Sequence, residues 1–87
     1  MYVIVVYDVN VNRVSKVCQF LRTYLNWIQN SVFEGELTES ELMRVEIGLK
    51  EIINENEDSI VIYTFPNMKV IERKFIGIKK AEPNFIL

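Results

Sequence analysis

Tyr2-Val3-Ile4-Val5-Val6-Tyr7-Asp8 is the stretch whose reading decides the fold. Six consecutive apolar or aromatic residues, four of them β-branched, stop at a carboxylate. A run of this kind reads as a strand covered on both faces, at the centre of a sheet. Side chains alternate along a strand, so Tyr2, Ile4, Val6 and Asp8 share one face and Val3, Val5 and Tyr7 the other. Asp8 is expected at the strand's C-terminal edge, in line with a core-facing row. Two roles stay open for it: opening the turn Asp8-Val9-Asn10 by bonding its own backbone, or ligating a metal.

Downstream, Val14, Val17, Cys18, Leu21 and Leu25 recur at three- and four-residue spacing, predicting an amphipathic helix over 13–25 with Asn12 as its cap and Asn26 closing it. Its polar side carries Arg13, Lys16, Gln19 and Arg22. Arg13 in the first turn opposes the helix dipole, so helix stability does not account for it. Residues 27–36 read as one bent strand or as two short ones meeting at Asn30-Ser31. Thr38 and Glu41 form a capping box for a second helix, striped by Leu42, Val45, Leu49, Ile52 and Ile53, in which Gly48 permits close packing. Asn54 to Asp58 is a polar stop. Ser59–Phe65 reads as a second central strand and residues 68–77 as an edge strand. The linker 78–83 then leads to the apolar end Phe85-Ile86-Leu87, which another copy of the chain could bury by strand addition. The order predicts an α+β sandwich, with two helices on one face of an antiparallel sheet and the other face free for a dimer.

At 87 residues, 49% hydrophobic and 25% charged, the chain has the material for one small domain over 1–87. Ten basic and twelve acidic residues give a net charge of −2, so global attraction to nucleic acid is not expected. No run has membrane-spanning length and no signal peptide is visible, which makes the cytoplasm the expected location. The absence of histidine excludes histidine-based triads, paired-histidine ribonuclease chemistry and histidine zinc sites. The single cysteine, Cys18, reads as a small buried hydrophobe. No phosphate-cradling glycine loop is present. Hydrolysis must therefore rest on carboxylates, a metal or a tyrosine. Asp8 alone does not make a Mg²⁺ site, but a two-fold dimer would supply Asp8 twice.

The strand ending Tyr7-Asp8, the basic amphipathic helix, Ser31-Val32-Phe33-Glu34-Gly35-Glu36-Leu37, the second helix and Ile60-Val61-Ile62-Tyr63 together resemble the CRISPR-associated Cas-two family. The resemblance covers essentially the whole chain. It implies a ferredoxin-like β-α-β-β-α-β fold, with an extra C-terminal strand (in residues 78–87) exchanged within a homodimer. It implies a metal-dependent endonuclease acting on RNA or double-stranded DNA, with Tyr7 and Asp8 in the catalytic role and one Mg²⁺ per dimer held by Asp8 of both copies. Arg13, Lys16, Arg22 and Phe33 would lie near nucleic acid, and the Cas-one integrase would be a partner in spacer acquisition. The same resemblance allows a non-catalytic adaptor bridging the integrase on DNA; a toxin-type ribonuclease of related fold is a further alternative. Here Val9-Asn10-Val11-Asn12-Arg13 lacks the second acid and the arginine pair that many members carry after the first strand.

Overall fold

In a computed structural model, which describes residues 1–81, the elements run β1 (Tyr2–Asp8), α1 (Val11–Arg22), β2 (Asn26–Gln29), β3 (Val32–Glu36), α2 (Glu39–Ile52) and β4 (Ser59–Phe65). A single 3₁₀ turn follows at Met68–Val70. The four strands form one antiparallel sheet in the order β2-β3-β1-β4. This is the α+β sandwich that the order of elements predicts, in the ferredoxin-like arrangement that the resemblance implies. β1 is central, pairing Ile4 with both Glu34 of β3 and Tyr63 of β4.

The two faces of β1 differ sharply. Val3, Val5 and Tyr7 are buried beneath the helices with Val17, Leu21, Val45 and Leu49. The other row, Tyr2, Ile4, Val6 and Asp8, becomes more exposed towards Asp8. The expectation of a strand covered on both faces is corrected: both helices pack on one side. Asp8 is in line with the open row, not with the core.

Local signals explain most boundaries, and some move. Asn10, not Asn12, caps α1, its side chain accepting from the Asn12 amide. That cap starts the helix earlier, at Val11, and it ends at Arg22 with Thr23 as its C-cap. Residues 26–36 resolve into two strands. Asn30 turns between them at φ 42°, a left-handed conformation that asparagine tolerates better than most residues. The capping box of α2 is complete: Thr38 Oγ1 accepts from the Glu41 amide at 3.1 Å, and Glu41 accepts from the Thr38 amide at 2.8 Å. Gly48 lies against the Phe20 ring, the close approach of helices that its missing side chain allows.

Two strand expectations are corrected. β4 is an edge strand, because nothing among the described residues pairs beyond it; its Val61 and Tyr63 face outward on the open side. Residues 68–77 form the 3₁₀ turn and then an irregular strap. The expected terminal strand involving Phe85-Ile86-Leu87 lies outside the described residues.

Candidate metal and nucleic-acid site

Asp8 ends β1 opposite Ser59 of β4, on the open face and at its rim. Its side chain is exposed, and among the described residues it has no ion-pair partner. A carboxylate so placed keeps its lone pairs for an external ligand. Among these residues no three acidic or cysteine side chains gather closely enough to hold a metal ion. The donor chemistry suits a hard cation such as Mg²⁺, which takes one or two carboxylates with waters and phosphate oxygens. Asp8 by itself would leave most of such a cation's coordination positions to water, phosphate or another molecule.

Tyr7 does not join Asp8. Adjacent strand residues point to opposite faces, and the Tyr7 ring enters the core, 4% exposed, stacked on Phe33 with centroids 6.2 Å apart. Its hydroxyl lies 2.8 Å from Cys18 Sγ. Burial, then the bond to Cys18, push this phenol up to about 12. It is held neutral and cannot act as a base at ordinary pH. Phe33 is fully buried, which corrects its expected place against nucleic acid: a ring with no exposed face cannot stack on a base.

The basic residues also separate. An α-helix turns about 100° per residue, so Arg13 and Arg22 stand on nearly opposite sides of α1. Lys16 and Arg22 are exposed on that helix. Arg13 is not free: its Nε lies 2.6 Å from Asp58 Oδ2, and its Nη2 lies 2.9 Å from Glu57 and 3.1 Å from Asp58 Oδ1. The guanidinium holds the Asp58 carboxyl well below the usual carboxylate range.

The remaining chemistry on the open face is the Glu34 carboxylate, 5% exposed. It accepts from Tyr2 Oη at 2.8 Å and pairs with Arg73 of the strap. Burial first, then the bond to Glu34, raise the Tyr2 hydroxyl to about 12. Arg73 thereby ties the strap over the β3 side, leaving a cavity of about 520 Å³ lined by Ile28, Val32 and Phe75 among others. Among the described residues nothing covers the β1–β4 side, where Val6, Val61, Tyr63 and Asp8 are exposed. Sequence reasoning missed the roles of both Glu34 and Asp58. The one available signal was Arg13, a cation misplaced for its helix and therefore in need of an acidic partner.

The family model for CRISPR associated protein Cas2 matches residues 1–72. The chain belongs to the Cas2 family. The CRISPR-associated endoribonuclease Cas2 2 of Archaeoglobus fulgidus is 58% identical over 81 residues, covering 93% of this chain and 88% of that protein. A Cas2 crystal structure superposes with a TM-score of 0.86 at 52% identity, over 94% of this chain and 92% of that one. Streptococcus pyogenes Cas2 gives a TM-score of 0.74 at 32% identity, over 86% and 100%. The Cas2 fold thus coincides with the ferredoxin-like arrangement, and among the described residues no helix is long and apolar enough to cross a membrane.

Proposed function

We propose that this Cas2-family chain is a Mg²⁺-dependent endonuclease of spacer acquisition, cytoplasmic and active as a homodimer. Two copies stack their open sheet faces and bring the paired Asp8 carboxylates to one shared Mg²⁺. The observation that carries this reading is Asp8 itself, an exposed carboxylate that among the described residues has no ion-pair partner, at the rim of an apolar sheet face that those residues leave open. RNA is the favoured substrate, because relatives such as the A. fulgidus protein are named endoribonucleases; double-stranded DNA is the competing one.

When bound, Mg²⁺ supplies a water of lowered pKa and offsets charge on the scissile phosphate. The chain's own part is to hold that cation through Asp8 and to draw the phosphate backbone through Lys16 and Arg22. Tyr7, neutral and turned into the core, supports β1 instead of handling a proton.

The test is cleavage of labelled single-stranded RNA and duplex DNA, with and without Mg²⁺, by wild type and Asp8→Ala. Cutting that needs Mg²⁺ and disappears in the variant is expected. Cleavage that survives Asp8→Ala overturns the catalytic reading. Two observations favour the second reading, a DNA-bridging adaptor of the Cas-one integrase: among the described residues no three acids gather as metal ligands, and Arg13 and Phe33 are engaged internally. That reading expects Asp8→Ala to keep integrase binding and spacer capture.

A further inference from the structure

Asp58 is the last residue before β4, and its side chain has no solvent exposure. Oδ1 accepts from the Asn10 amide at 2.8 Å and from Arg13 Nη2 at 3.1 Å; Oδ2 accepts from Arg13 Nε at 2.6 Å and from the Asn54 amide at 2.9 Å. A covered carboxylate is tolerated only when its oxygens are satisfied in this way. The donors come from the N-cap and first turn of α1 and from the chain leaving α2. The residue after Asp58, Ser59, is the cross-strand partner of Asp8. Asp8 is therefore bracketed by its register with Ser59 and by the Asn10 amide two residues on, and both restraints meet at Asp58.

The geometry points to Asp58 as a positioning residue that, through Asn10 and Arg13, fixes the chain at Asp8 and so aims its carboxylate at the shared cation. This rests on the reading of Asp8 as a metal ligand. Arg13 belongs to the same clamp, which explains a cation in the first turn of a helix whose dipole opposes it. A phosphate contact by Arg13 would fall to Nη1, since Nε and Nη2 are held by Asp58 and Glu57. Partners that orient a metal ligand set affinity and rate more than substrate binding.

The experiment uses the full chain with Asp58→Asn, Asp58→Ala, Arg13→Ala, the Asp58→Ala/Arg13→Ala double variant and Asp8→Ala. Asp58→Asn keeps the side-chain volume and an acceptor for Asn10 while removing the charge, so it carries the comparison if Asp58→Ala fails to fold. Three readouts are taken: amide hydrogen exchange over residues 8–13, affinity for Mn²⁺ as the probe cation, and kcat and KM on labelled RNA. Faster exchange at Val9 and Asn10 is expected in the Asp58 variants, with Mn²⁺ binding weakened about 10- to 100-fold. kcat should fall by up to about 10²-fold with KM little changed. The double variant should be no worse than Asp58→Ala, because the two residues act as one unit. A folded Asp58→Asn protein with wild-type exchange and Mn²⁺ affinity overturns the proposal, as do Asp58 and Arg13 losses that simply add. If Asp8→Ala leaves Mn²⁺ affinity intact, the metal reading falls separately. Exchange over residues 8–13 then still decides whether Asp58 holds the chain there.

Discussion

Tyr7 and Asp8 are neighbours in the chain and meet different solvents, one the core and the other water. The Tyr7 phenol rises from its ordinary 10.0 to about 12 because burial and then Cys18 disfavour its anion. Folding thus favours the neutral form. The stability this contributes is whole below pH 10 and is lost as pH rises from 10 towards 12, where the unfolded chain releases the proton first. Tyr2, raised to about 12 chiefly by burial, has the same sign. Urea unfolding across this alkaline range should show stability falling, and Tyr7→Phe should flatten part of the fall. An unchanged slope in that variant would refute the assignment. The sequence shows both tyrosines and their alternation, but not the sulfur of Cys18 that waits 11 residues away.

At the level of elements, α1 and α2 meet where Gly48 faces Phe20. A Cβ added at Gly48 would lie 2.1 Å from Phe20 Cζ, far inside contact distance. Alanine ordinarily improves a helix interior by about 1 kcal/mol over glycine. Here overpacking, typically about 1–3 kcal/mol, opposes that gain. Gly48→Ala should therefore lower the urea midpoint, and adding Phe20→Leu should restore part of it. A single variant more stable than wild type would show that the ring moves aside freely. Gly48 was legible as a close-packing position; which ring it admits depends on the crossing of two helices that no local pattern specifies.

At the scale of the whole fold, the decisive asymmetry among the described residues is that both helices cover one sheet face while the strap covers only part of the other. Val61 is 43% exposed and Tyr63 51%, side by side with Val6 and Ile4 on the bare half. A small domain with such a surface has reason to pair with its own copy. Val61→Glu adds a charge where water already reaches, so the monomer fold should survive while self-association is lost. Analytical ultracentrifugation measures this; a wild-type chain that stays monomeric at micromolar concentration would overturn the stacked dimer. The open-face location of Asp8 matters at this scale, since the proposed metal site draws its second carboxylate from a second copy of the chain.

Local pattern alone was enough for the two helices, the capping box at Thr38, the apolar strand β1 and the exclusion of histidine chemistry, because each depends on residues within a turn or two. The motifs around Tyr7-Asp8 and Ser31–Gly35 carried the family. Tertiary structure decided the rest. It buried Phe33, turned Asp8 to the open face, moved β4 to the edge and joined Arg13 to Asp58 across 45 residues of chain. The physical reason is that strand alternation separates two faces without saying which one the helices will cover, and an ion pair between distant segments exists only once the sheet has set its order.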